Sequence, residues 1–257
     1  AMDILFTTLP PVEMALMALG IWCAAIMRAF TGFGFALTAV PVLSLFLVPT
    51  DAVVLVALLT LTTSLVTYRA WWGCFGLRDG LPMVGGSILG TGVGVIFLTQ
   101  LSLAQFQLWI GLIVIVLCVF LSRYRPKSHL SGPGVAAGTG TLSGLMNGAF
   151  AIPGPPVIVY AMACIPEPAK SRGFLMAFFM ISSLISLTTF TVSGLVTTVP
   201  FYLLLLSMPA MLLGDRLGTW LFARIGGQAY RPVALALSLG VGLAITLKAL
   251  HAMGFTV

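Results

Sequence analysis

Charge is what this chain has least of. Lysine and arginine number 12 and aspartate and glutamate 6 in 257 residues, so 7% of the chain is charged, where a soluble domain carries about 25%. Such a chain cannot cover a water-facing surface. With 60% hydrophobic residues and a mean hydropathy of +1.14, it is an integral membrane protein. The apolar stretches are long and do not alternate with polar residues, which excludes a β-barrel and leaves helices. No polar stretch exceeds about a dozen residues, which leaves no room for a soluble domain. Six acids and two histidines offer little for general acid–base work. HExxH, GxSxG and Walker motifs are missing, as is any segment with paired carboxylates, so neither an enzyme nor a nucleotide-driven pump is expected. Cys23, Cys74, Cys118 and Cys164 have no CxxC spacing, and His129 and His251 have no metal-ligand partner at useful spacing. These cysteines read as small hydrophobes among packed helices, and no metal or cofactor is expected. The basic residues are scattered, so the net charge of +6 fits loops facing anionic lipid and not nucleic acid.

What is present is a set of apolar runs, one of them too long. Val12 to Val48 is apolar nearly throughout. One straight helix of that length would measure about 55 Å, against a hydrocarbon core of about 30 Å. The run is interrupted between Arg28 and Gly34, where an arginine and two glycines fall. A related interruption, Asn147-Gly-Ala-Phe-Ala-Ile-Pro-Gly-Pro-Pro156, lies in the second half. Around the two, the chain divides in parallel. Residues 12–29, 33–48, 52–72, 81–98 and 103–121 form one series of segments, and 134–148, 153–165, 170–195, 200–223 and 231–250 a second. Pro49-Thr-Asp-Ala52 is matched by Pro166-Glu-Pro-Ala169, Gly90/Gly94 by Gly214/Gly218, and Ala104-Gln-Phe106 by Gln228-Ala-Tyr230. Matched anchors in the same order read as an internal duplication. Residues 1–127 are the first repeat with the start of the linker, and 128–257 the end of the linker with the second repeat.

Charge then sets topology. With five segments per half and the N-terminus outside, Arg28, Arg69, Arg78, Arg123, Arg125, Lys127, Lys170, Arg172, Arg224 and Arg231 all fall inside. Four segments per half scatter them over both sides, so the positive-inside rule favours five. An odd number inverts the second half relative to the first. The expected fold is therefore an all-α integral membrane protein of two inverted-topology repeats, each with a broken or re-entrant first helix, in 8–10 transmembrane segments. A re-entrant hairpin and two short crossings have the same parity and stay open as alternatives.

Paired broken helices point to a transporter's binding site. The candidate substrate-binding residues are Arg28, Thr31, Gly32, Phe33, Gly34 and Pro41 in the first break, and Asn147, Gly148, Pro153, Gly154 and Pro155 in the second. A helix beginning at such a break aims its positive end and free N–H groups inward, which suits an anion. The bland alternative is that these glycines and prolines serve only close packing and kinks. Arg28 either faces the site or reaches the inner interface. Asp215 and Arg216 are candidates for coupling or for an ion pair. The GxxxG faces suit helix packing and a homodimer.

Gly32-Phe-Gly-Phe with Pro41 and Pro49-Thr-Asp-Ala52, repeated as Gly148 to Pro155 and Pro166-Glu-Pro-Ala169, resembles the sulfite exporter TauE/SafE family, also called the toluene-sulfonate uptake permease family. The resemblance covers essentially the whole chain. It implies a multi-pass permease of the bacterial inner membrane, with the lipid bilayer and a small anion (sulfite, sulfoacetate or another organosulfonate) as its partners. It also implies about eight spans, against the ten segments from charge. The alternative function is a transporter or channel for another small anion or a metal ion.

Overall fold

The protein is described from a computed structural model, over residues 10–31, 34–123, 132–165, 167–225 and 227–253. Eleven helices occur among these residues: α1 Pro11–Thr31, α2 Phe35–Leu43, α3 Pro49–Val66, α4 Tyr68–Trp71, α5 Leu77–Gln100, α6 Leu103–Arg123, α7 Pro133–Phe150, α8 Gly154–Cys164, α9 Pro168–Val192, α10 Val199–Ile225 and α11 Gly227–Ala252. The all-α expectation is met. Six of them are long and apolar enough to cross a membrane, those carrying 11–29, 49–66, 80–100, 103–120, 170–192 and 199–221. Two shorter apolar stretches, Gly154–Cys164 and Leu239–Ala252, follow the same composition. Glycine-rich α7 has 18 residues but is not among the six. The expected polar linker lies mostly in 124–131, outside the described residues, as does Pro166.

The helices gather into two units, each built from separated stretches of chain. One comprises Ala1–Leu59, Leu101–Ser122 and Val196–Val257, and the other Thr60–Gln100 and Arg123–Leu195. α3 runs from the first into the second.

In the first unit, α1 packs along α10, and α2 folds back on α1. The α1–α10 seam is made by small residues. A side chain at Gly214 would meet the Trp22 carbonyl at 2.5 Å, and one at Gly218 the Ala29 Cβ at 2.7 Å. Without a hydrophobic drive between helices in lipid, such close backbone approach is a main source of association. α2 runs antiparallel to α1. The Thr38 hydroxyl donates to the Met27 sulfur at 3.0 Å, and Val42 lies on Gly20. Nine residues make α2 about 14 Å long, less than half of the hydrocarbon core. The apolar run past it was expected to stay in one segment to Val48, but the helix stops at Leu43. Pro41 lies in its last turn, and the Ser44 hydroxyl closes the end on the Pro41 carbonyl at 2.7 Å. α6 begins with a reciprocal cap. The Ser102 amide donates to Gln105 Oε1 at 3.0 Å, and the Gln105 amide to Ser102 Oγ at 3.3 Å. This is the capping-box pattern Ser-x-x-Gln. About one turn into α6, the buried Gln107 side chain donates to the Ser44 carbonyl at 2.6 Å.

In the second unit, α5 and α7 form the tightest seam. Gly86, Gly90 and Gly94 of α5 face the α7 backbone, and Gly140, Gly144 and Gly148 of α7 face the α5 backbone. Glycines four apart lie on one helix face. Two such stripes bring the backbones so close that a Cβ at Gly90 or Gly140 would stand 2.0 Å from a carbonyl oxygen. Beside its stripe α5 carries exposed Leu89, Val93 and Ile96, an apolar side for lipid. α9 packs against α4, α5, α7 and α8. Phe75 stacks on Phe174 with centroids 5.3 Å apart. Both expected GxxxG faces are thus spent inside the chain, on α7 and on α1, and neither is left for a second copy. Glu167 precedes α9, but its carboxylate pairs with Lys170 at 2.7 Å and makes no bond to the helix amides.

Candidate functional site

The first break lies in the first unit. Gly34 turns the chain from α1 to α2 with φ 99, a left-handed conformation that favours glycine. It is the N-cap of α2, whose first-turn amides receive no bond from the cap side chain, since glycine has none. Gly32 and Phe33 lie outside the described residues, and so does the side chain of Thr31. Pro41 is buried in α2.

Arg28 occupies the last turn of α1 and is 2% exposed. Its Nη1 stands 3.3 Å from Oδ1 of Asp215, whose side chain is 15% exposed. Asp215 reaches it because Gly214 and Gly218, flanking it on α10, let that helix lie directly on α1. Asp215 thus forms an interhelical ion pair, while Arg216, its sequence neighbour, is exposed. Adjacent residues on a helix point about 100° apart, so the two cannot share a partner on one face.

The second break lies in the second unit and falls two residues later than the glycine that marks it in the sequence. α7 runs through Gly148 to Phe150 and ends at Ala151, which adopts φ 53 and ψ 30. The Ala151 and Ile152 amides close the end on the Asn147 and Met146 carbonyls at 2.8 and 3.4 Å. Gly148 faces α5, where a Cβ would meet the Thr91 carbonyl at 2.3 Å. α8 then starts at Gly154 after the N-cap Pro153, and Gly154 and Pro155 are buried. Pro155 and Pro156 have no N–H. Of the first three helical residues, only Gly154 therefore offers a donor to a ligand, fewer than a helix start ordinarily presents.

Side chains supply what that backbone lacks. Asn147, 3% exposed, donates from Nδ2 to the Ser182 carbonyl at 2.9 Å and to the Ser186 hydroxyl on α9. Ser143 Oγ donates to the Pro153 carbonyl and ties α7 to the start of α8. Ser87, Thr91, Ser143, Ser182 and Ser186 are all fully buried, and sequence reading singled out none of them. The signal was present. Ser87/Thr91, Ser143/Asn147 and Ser182/Ser186 are each buried polar pairs at i, i+4, one such pair on each of three helices, and that spacing puts both members on one face. Gln107 was missed too, because a single amide near a helix start has no pattern around it.

A chain of apolar helices packed through glycine seams, six of them long and apolar enough to span a bilayer, is a multi-pass membrane protein. The chain belongs to the TauE/SafE family: the family model described as Sulfite exporter TauE/SafE matches residues 16–245. Members of this family are transporters rather than enzymes. Nothing among curated proteins or solved structures matches the chain.

Proposed function

We propose that this protein is a secondary transporter of small sulfur-containing anions, sulfite, sulfoacetate or another organosulfonate, in the bacterial inner membrane. It works by alternating access of two inverted halves, with the anion held at the paired helix breaks near the midplane. The observation that carries this reading is the placement of buried polar side chains at both breaks, Arg28 before α2 and Asn147 before α8. Polar groups at membrane depth are costly and mark substrate pathways. The duplication finds support in equivalent packing. The first helix of one half, α1, lies on Gly214 and Gly218 of α10, and its counterpart α7 lies on Gly90 and Gly94 of α5. A long helix is followed by a short one in both, α1 by α2 and α7 by α8. The short helices are those that would point their positive ends toward the anion. The matched repeats of 1–127 and 128–257 contribute to both contact units, as expected if each half lends its first helix to the fourth helix of the other.

The direct test is release of sulfite from loaded proteoliposomes. Flux above empty liposomes is expected. A folded, reconstituted protein that moves neither sulfite nor any member of a sulfonate and carboxylate panel would overturn the reading.

A further inference from the structure

Two groups stand out among the helix hydroxyls of the second unit. In a helix, a serine or threonine hydroxyl can always bond back to a carbonyl three or four residues earlier. Thr141, Ser183, Thr188, Thr189 and Thr191 do so, at 2.7 to 3.0 Å. Ser87, Thr91 and Ser182 do not. Each is fully buried, and each hydroxyl has no hydrogen-bond partner among the described residues. A buried hydroxyl left unmade costs about 1–3 kcal/mol, and a local remedy was within reach of all three.

These three are not scattered. Ser87 and Thr91 sit on α5 where its backbone meets Gly144 and Gly148 of α7. Asn147, beside Gly148, bonds the carbonyl of Ser182 on α9. α5, α7 and α9 pack on one another, and the cluster adjoins the second helix break. It contains no charge. The buried charged side chains among the described residues are Arg28 and Asp51, both in the other unit, where Arg28 faces Asp215; half-buried Arg172 of α9 lies ten residues before Ser182.

We propose that Ser87, Thr91 and Ser182, held together by the Asn147 amide that ties α7 to α9, form a neutral hydrogen-bond-donor subsite for the oxygen face of a singly charged oxyanion, a sulfonate or hydrogen sulfite, in preference to a dianion. The inference rests on the transport reading and narrows it. Burial cost grows with the square of the charge, so a dianion pays about four times the penalty of a monoanion in the same medium. Neutral hydroxyls, unlike lysine or arginine, bring no opposing charge to offset it. A sulfonate carries one charge spread over three oxygens, which matches three O–H donors.

The test is calorimetric titration of the purified full-length chain with methanesulfonate and with sulfate. Wild type is expected to bind methanesulfonate at least about 10-fold more tightly than sulfate. Ser87→Ala, Thr91→Val and Ser182→Ala should each weaken methanesulfonate about 10-fold, the usual worth of one hydrogen bond to a charged group. Ser183→Ala removes a hydroxyl already bonded to the Phe179 and Met180 carbonyls and should leave affinity unchanged. Ser182→Ala should not lower the ligand-free melting temperature, since its hydroxyl holds nothing in the fold. Wild-type affinity in all three variants, or sulfate bound as tightly as methanesulfonate, overturns the subsite while leaving transport standing. Loss of stabilisation by sodium ion at fixed chloride, with anion binding untouched, assigns the hydroxyls to a cation and also overturns it. A wild type that neither binds nor moves any sulfur oxyanion removes the transport reading and the subsite together.

Discussion

The α5–α7 seam makes a quantitative claim that one alanine can test. At Gly90 an added Cβ would stand 2.0 Å from the Thr141 carbonyl oxygen and 2.7 Å from the Leu145 amide. Both are backbone atoms of α7, so no side chain can swing away to relieve the overlap. The helices must part by about 1 Å to restore even a 3.0 Å contact, and Gly86, Gly94, Gly140, Gly144 and Gly148 lose their close approach along with it. Overpacking of this kind costs about 1–3 kcal/mol, with the upper end expected where the obstacle is rigid. The control is two residues away. Nothing lies within 4 Å of a Cβ at Gly92, so Gly92→Ala gains helix propensity, up to about 1 kcal/mol, and meets no clash. Gly90→Ala receives the same propensity gain. The difference between the two variants therefore isolates the seam. For a chain of this size 1 kcal/mol corresponds to about 2–4 °C, so Gly90→Ala should melt roughly 6–12 °C below Gly92→Ala. Thermal unfolding in mild detergent, followed by circular dichroism, measures it. If the two variants melt together, α5 and α7 do not pack backbone to backbone, and the reasoning fails.

Other expectations follow from single contacts. Asp215→Ala should cost about 3 kcal/mol, because it strips the carboxylate from a buried guanidinium. A double-mutant cycle with Arg28→Gln should recover part of that cost, and strictly additive losses would deny the pair any coupling. Two of the positive-φ residues, Gly34 and Ala151, should respond with opposite signs. Gly34→Ala places a Cβ at φ 99 and should lose about 1–2 kcal/mol. Ala151→Gly relieves φ 53 and should gain up to about 1 kcal/mol, or at least lose nothing. Equilibrium unfolding of both variants decides this, and equal losses at the two positions would contradict it.

The long helices were readable because a residue in lipid must satisfy its backbone within its own helix. Ranges such as 103–121 and 170–195 therefore track α6 and α9 closely. The two breaks were readable from glycine and proline, but their exact ends were not. Gly148 looked like part of the second break, yet α7 runs past it, because that glycine serves the contact with Thr91. The helix ends only at Ala151, ahead of Pro153. Asp215 and Arg216 read as one feature because they adjoin in sequence. Helical geometry separates them, one toward Arg28 and the other outward. The serine and threonine pairs escaped attention because the sequence reading weighed charges, and a hydroxyl's importance depends on whether its own helix already satisfies it.

Composition alone decided that this chain lives in a membrane and is helical, since no arrangement of so few charges could hold it in water. Spacing alone indicated that four-residue glycine stripes would make close contacts. Which helices those stripes would meet was decided only in the tertiary structure. Glycine faces are chemically alike, and lipid gives apolar helices no preference for one another over the solvent around them. The pairing of α1 with α10 and of α7 with α5 therefore depends on the fit of whole backbone surfaces, a property no single segment carries. The same fit brings Asp215 to Arg28, and α7 brings Asn147 to the serines of α9.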